Sequence, residues 1–154
     1  MKILVLSDSH GNVENMHRAV EMTRPHCILH LGDCVRDAEA LHRLYPSIRM
    51  ENVPGNCDWG CQDPGERLLE LGGYRILMMH GHTRRVKMTT MDARYAAKEC
   101  GADILLFGHT HYPMVDRDGP LYIMNPGSAG DSLRPTFGAI TIEGDRLDCS
   151  VCVL

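Results

Sequence analysis

Apolar residues fall in short unbroken runs along this chain, and run after run stops at a polar cluster. Residues 3–6, ILVL, form the first and end in SDSHGN. A continuous run of that length is the mark of a strand covered on both faces. Val13, Met16 and Val20 follow at spacings of three and four with Ala19 beside them. That spacing predicts an amphipathic helix, with Asn12 as its N-cap and Pro25 just beyond its end. CILHLGD predicts a second strand ending at Asp33, DAEALHRL a short helix leading to Pro46, and IRMENVPGN a third strand closing at Gly55 and Asn56. After a polar stretch from Cys57 to Gly65 the rhythm changes. ERLLEL, GG and YRILMMHG read as a hairpin on a two-residue turn, TMDARYAAKEC as a helix stopped by Gly101, and DILLFG as another strand. PMVDRDGPLYIMNPGS and FGAITIEGDRLDCSVCVL read as two more hairpins, turning at Asp118 and Gly119 and at Gly144 and Asp145. Strands alternating with helices early and hairpins late predict an α/β fold with two packed sheets and helices on their outer faces. No repeat or low-complexity linker divides residues 1–154, so a single domain is expected.

Composition narrows the class. At 44% hydrophobic and 23% charged residues the chain is ordinary for a globular protein. No apolar run nears the roughly 18 residues of a membrane span. MKILVLSDSHGN has a single lysine and no small-residue cleavage site, so it reads as a first strand, not a signal peptide, and a cytoplasmic location is expected. A net charge of −4 and few aromatic residues argue against an extended nucleic-acid surface and against a nuclease of polymeric DNA or RNA. The seven cysteines are odd in number and follow no disulfide framework; reduced thiols are expected. Cys149 and Cys152 make a C-x-x-C inside the last apolar run, read as strand packing, not as a zinc or redox pair.

The polar clusters carry the chemistry. Asp8 and His10 follow the first run, Asp33 the second, Asn56 the third, His80 the run ILMM, and His109 and His111 the run ILLF. In open α/β sheets the loops beyond the carboxyl ends of strands meet at one crevice, so these distant residues can converge. Taken singly, each has an ordinary role; Asp8, for example, could simply cap the following helix. Seven oxygen and nitrogen donors in this order exceed what one catalytic zinc takes and suit two ions bridged by a carboxylate, with a bridging hydroxide for displacement at phosphorus. Imidazole without thiolate points to Mn²⁺ foremost, with Fe²⁺, Zn²⁺ and Ni²⁺ compatible. His109 and His111, two apart, are expected to project the same way from an extended segment, one to each ion.

DSHGN, GDC, GNCD, MMHGH and FGHTH resemble, in order, the signature of the calcineurin-like metallophosphoesterases. The small size and NPGS at 125–128 are similar to the bacterial YfcE-type phosphodiesterase branch. This resemblance covers residues 2 to 130 and implies a two-sheet α/β/β/α sandwich with a dinuclear centre. It assigns Asp8, His10, Asp33 and His111 to one ion and Asp33, Asn56, His80 and His109 to the other, with Asp33 as the bridge. Asp33, Asn56, His80 and His109 would thereby also be the catalytic set. The implied activity is hydrolysis of a small phosphodiester or phosphomonoester; the eukaryotic retromer subunit of the same fold, an interaction scaffold, supplies the alternative. In much of the superfamily a histidine follows the metal-binding asparagine. Here Cys57 stands in that place, a poor proton donor, so activated esters are the expected substrates. Asp58 is expected to orient a histidine. Asn12, Cys57, His82, Arg84 and Arg85, with Lys87 beside them, are candidates for substrate contact, against ordinary turn, cap or surface roles. His30, Met16, Met88 and Met91 are expected in the core, and His17, His26 and His42 on the surface. NPGS is expected to turn tightly near the metals without Ser128 acting as a nucleophile. The late hairpins leave faces on which a second copy could pack, so a homo-oligomer remains open.

Overall fold

The computed structural model describes all 154 residues. The strands and helices run β1 (Lys2–Leu6), α1 (Val13–Thr23), β2 (Cys27–His30), α2 (Val35–Leu44), β3 (Arg49–Asn52), β4 (Glu66–Leu71), β5 (Tyr74–Met79), α3 (Met91–Glu99), β6 (Ile104–Leu106), β7 (Met114–Asp118), β8 (Leu121–Asn125), β9 (Thr136–Glu143) and β10 (Arg146–Val153). They form two five-stranded sheets, in the orders β10-β9-β1-β2-β3 and β4-β5-β6-β8-β7. The last hairpin therefore returns to the first sheet, β9 pairing antiparallel with β1.

Alternation along β1 explains the layers. Ile3 and Val5 point between the sheets, where they join Leu29, Ile76, Met78, Leu106 and Met124. Leu4 and Leu6 point the other way, onto Met16, Ala19 and Val20 of α1 and Leu41 of α2. Leu105 and Phe107 likewise leave the inner layer and pack with Ala93, Ala96 and Ala97 of α3. Both sheets are thus covered on both faces where their parallel strands lie, which is why those strands read as unbroken apolar runs.

Most of the sequence-predicted turns hold. Gly72 and Gly73 both take positive φ between Leu71 and Tyr74, the conformation a two-residue hairpin loop requires. The β7–β8 turn lies one residue later than expected: Asp118 pairs with Leu121, leaving Gly119 and Pro120 as the loop. Cys149 packs toward the layer between the sheets and Cys152 toward the helix-covered face. Residues three apart on a strand face opposite ways, so this C-x-x-C cannot close on one metal or on itself. Two expected core residues are in water: Met88 is 83% and Met91 66% exposed. They precede and begin α3, whose buried face is Ala93, Ala96 and Ala97; the spacing of three carried no second apolar turn to complete a core stripe.

Strands β1, β2 and β3 run parallel in the first sheet, and β5, β6 and β8 in the second. Their carboxyl ends bring Asp8, Asp33, Asn56, His80, His109 and Asn125 into neighbouring loops.

Candidate metal centre

Five of the seven expected ligands leave their strands by a left-handed bend: Asp8 (φ 53°), His10 (44°), Asp33 (56°), His109 (65°) and His111 (61°). Only three other non-glycine residues, Arg24, Cys34 and Arg85, share that region. Such backbone is sterically costly for L-residues and concentrates at functional sites. It corrects the expectation of an extended His109–His111 segment. The two rings reach different neighbours because the chain bends left-handed at each, with Thr110 N–H turned back to Gly108 O at 2.7 Å.

Two donor clusters result, and Asp33 borders both. On one side His10 Nε2 lies 3.9 Å from Asp8 Oδ1 and 3.8 Å from Asp33 Oδ2, and His111 Nε2 lies 3.0 Å from Asp8 Oδ1. On the other, His80 Nε2 lies 3.5 Å from Asp33 Oδ1, 3.0 Å from Asn56 Oδ1 and 3.1 Å from His109 Nδ1. His80 Nδ1 sits 2.8 Å from Leu31 O. A carbonyl only accepts, so Nδ1 carries a proton there and Nε2 is turned inward. Burial, then the neighbouring His80, pushes His109 down to about 4, so His109 is a neutral imidazole at pH 7. Two ring nitrogens, an amide oxygen and a carboxylate oxygen thus converge on one point, an arrangement that suits a cation. The other cluster shows the same pattern. Asp8 is fully buried, and its Oδ1 accepts no well-aligned hydrogen bond; it faces only the ring nitrogens of His111 and His10, at 3.0 and 3.9 Å. The donor set therefore fits divalent metal ions held by oxygen and imidazole nitrogen.

Rigid partners hold each donor. Asp8 Oδ2 accepts from the Ser7 hydroxyl and from His109 N–H at 3.1 Å. Asp33 Oδ1 accepts from Cys57 N–H at 2.9 Å. Burial would raise the Asp33 carboxyl, but that N–H and the nearby His80 and His10 hold it below the usual carboxylate range. Asp58 touches no histidine, contrary to expectation. Its carboxylate accepts from the N–H groups of Cys34 (2.9 Å), Val35 (2.8 Å) and Gly55 (2.8 Å), so it caps α2 from another loop. The sequence signal was indirect: no Ser, Thr, Asp or Asn stands just before Val35, and Cys34 offers no side-chain cap.

Among the substrate candidates, Asn12 caps α1 through Asn15 N–H at 3.1 Å. Arg84 forms a two-point ion pair with Glu66 (2.6 and 3.0 Å) and Arg85 a single-point pair with Asp92 (2.6 Å). His82, on a 3-10 turn from His82 to Arg84, has a buried Nδ1 without a partner and its ring centroid 5.4 Å from that of His80. Partial desolvation and then the Asp33 carboxylate raise the Cys57 thiol, keeping it protonated at neutral pH. Near the site, Ser128 Oγ donates to Asp8 O (2.8 Å) and Asn125 Nδ2 to Gly108 O (2.9 Å), so NPGS is a brace.

Sequence reasoning missed Ser9 and Asp37. Asp37 Oδ2 accepts from Ser9 Oγ and Gly11 N–H, both at 2.7 Å, steadying the loop that carries Asp8 and His10. Ser9 Oγ also lies 3.2 Å from His30 Nε2. His30 is fully buried, and burial lowers it to about 4 against nearby carboxylates. Its folded-state value lies below the ordinary 6.5, so the unfolded chain takes up the proton first as pH falls. Stability from this group is complete above pH 6.5 and is lost as the pH drops toward 4, by on the order of 3 kcal/mol. Urea midpoints of metal-free protein across that window are expected to fall, and His30→Gln to flatten the fall. An unchanged slope in the variant would disprove the assignment.

A family model, the calcineurin-like phosphoesterase superfamily domain, matches residues 1–145. The chain belongs to that superfamily. It is 32% identical over 151 residues to the probable metallophosphoesterase YsnB of Bacillus subtilis, covering 94% of this chain and 86% of that protein. It is 25% identical over 157 residues to the phosphodiesterase YfcE of Escherichia coli, covering 83% and 79% of the two chains. A solved structure of a predicted phosphoesterase from Streptococcus pneumoniae superposes with a TM-score of 0.83 at 25% identity, over 99% of this chain and 88% of that one. Vps29 of Entamoeba histolytica, solved with zinc, shares the fold, with a TM-score of 0.77 at 21% identity over 99% of each chain. No helix is long and apolar enough to cross a membrane.

Proposed function

We propose that this superfamily member is a dinuclear, metal-dependent phosphodiesterase acting on small phosphodiesters. One observation carries the reading: two groups of donors meet at the buried carboxylates of Asp8 and Asp33, with Asp8 3.0 Å from the His111 ring nitrogen and Asp33 3.8 Å from that of His10 and 3.5 Å from that of His80. Asp8, His10, Asp33 and His111 would hold one ion, and Asp33, Asn56, His80 and His109 the other, with Mn²⁺ the best match to the donors. When bound, such a pair acidifies water and neutralises charge on phosphoryl oxygens.

The chain's own groups set the geometry. Leu31 O orients the His80 ring, Ser7 and His109 N–H aim Asp8, and Cys57 N–H aims Asp33. His82 offers an unpartnered ring nitrogen to a phosphoryl oxygen. Lys87, exposed and close enough for its charge to act on His109, is a cation for the substrate, while Arg84 and Arg85 are ion-paired. No strong proton donor stands beside Asn56, because the Cys57 thiol is raised; esters with good leaving groups are therefore favoured.

Metal-stripped protein assayed on bis(4-nitrophenyl) phosphate is expected to gain roughly 100-fold or more in rate on adding Mn²⁺, with two ions bound per chain. Absence of metal-dependent turnover would leave the alternative, a catalytically weak interaction scaffold of the same fold.

A further inference from the structure

A cavity of about 530 Å³ opens beside the metal centre, between the start of α2 and the loop after Asn56. Its walls include Cys34, Val35, Arg36 and Glu39 on one side and Cys57 and Trp59 on the other. None of the seven proposed ligands lines it, but its walls include Cys34 and Cys57, the residues that follow Asp33 and Asn56 in the chain. Its size is within the range of small-ligand sites.

Both walls are fixed before any ligand arrives. The Asp58 carboxylate takes N–H groups from Cys34 and Val35 on one wall and from Gly55 at the foot of the other. The turn carrying Trp59 is closed by Cys61 N–H donating to Asp58 O at 3.3 Å. Preorganisation of this kind lowers the entropic cost of binding.

The lining has a definite chemistry. Trp59 is the chain's one tryptophan and is 92% exposed, an indole held in water at the mouth of a cleft. Unlike Arg84 and Arg85, whose guanidiniums are ion-paired, Arg36 holds no carboxylate and is exposed at the rim. Glu39 adds an exposed acceptor. A stacking face, a fork of donors and a carboxylate acceptor are the set that recognises a nucleobase by its ring and its edge. The phosphate belongs elsewhere: Asp37, Glu39 and Asp58 outnumber Arg36 in the cavity, so an anion is repelled there and a neutral ring is not. A second cavity of about 470 Å³, with Lys87, Phe107, Thr110 and Tyr112 in its lining, lies by His109 and His111 and gives a second ester arm its own place.

We propose that the cavity at Trp59, Arg36 and Glu39 receives the base of a nucleoside phosphodiester whose phosphorus lies at the metal cage. For the reaction this rests on the phosphodiesterase reading; for binding it does not. Trp59 supplies its own probe, because all tryptophan fluorescence comes from this cavity. In metal-free protein, uncharged adenosine is expected to quench it saturably, and ribose to leave it unchanged. In Mn²⁺-loaded enzyme, Trp59→Ala should raise KM for thymidine 5′-(4-nitrophenyl phosphate) about tenfold with kcat nearly constant, and move KM for methyl 4-nitrophenyl phosphate by less than about twofold. The exposure of Trp59 makes the variant safe for folding. Absence of saturable quenching, or equal KM changes for both esters, overturns the inference. If wild type hydrolyses both esters and Trp59→Ala changes neither KM, the base site falls and the phosphodiesterase reading stands. Saturable quenching by adenosine without metal-dependent hydrolysis of any ester does the reverse.

Discussion

Replacing Asp33 by alanine should strip the chain of both metal ions and lower phosphodiester hydrolysis by roughly three orders of magnitude or more. Asp33 borders both donor clusters, Oδ2 facing His10 at 3.8 Å and Oδ1 facing His80 at 3.5 Å. Each remaining set would then hold three donors, with no bridging charge to offset repulsion between two cations. Alanine also leaves Cys57 N–H without its acceptor and must occupy a left-handed backbone at φ 56°. Asp33→Asn separates these effects. Asparagine tolerates that conformation and keeps an oxygen for Cys57 N–H, yet removes the charge. Elemental analysis and hydrolysis of both variants, with circular dichroism as the check on folding, form the test. Metal stoichiometry near two in Asp33→Asn with activity preserved would contradict the bridging role.

The layout of the site was readable because of one physical regularity: strands buried on both faces appear as apolar runs, and the polar cluster after each run marks where the chain leaves the sheet. Asp8, Asp33, His80 and His109 all stand at such points, and parallel pairing puts them on one side of the molecule. The supporting partners were not readable. Asp58, Asp37 and Ser9 act on backbone groups or hydroxyls far away in sequence, and no periodicity encodes a contact such as Asp58 to Cys34. The left-handed bends were hidden for a related reason. Aspartate and histidine visit that region more often than most residues, yet only in a small minority of cases, so residue type alone did not signal the turn at His109 and His111. The ion pairs of Arg84 and Arg85 were hidden too, because their carboxylate partners, Glu66 and Asp92, lie 18 and 7 positions away. Met88 and Met91 failed as core because a short alanine face suffices to seat α3.

Gly108→Ala is expected to weaken metal binding at the Asp8 side and to lower hydrolysis by about 100-fold, through displacement alone. A Cβ on Gly108 would collide with Ser7 Oγ and lie 2.9 Å from Asp8 Oδ2, the two atoms that set the aim of Asp8. Neither can retreat easily: Ser7 and Asp8 are fully buried, and Asp8 Oδ2 also accepts His109 N–H. The strain should lower stability by about 1–3 kcal/mol, the usual range for an overpacked interior. Gly55→Ala tests the same principle at the bridge, since its Cβ would strike Asp33 Oδ1. Gly65→Ala is the matched control, with ordinary φ and open space around it. Metal content and thermal unfolding of all three variants separate misaiming from unfolding. A folded Gly108→Ala protein should bind its ions less tightly than Gly65→Ala does, because the cage depends on glycines thin enough to let the Asp8 and Asp33 loops close. Equal metal affinity and equal rate in those two variants would show that the approach of these loops has no bearing on the centre.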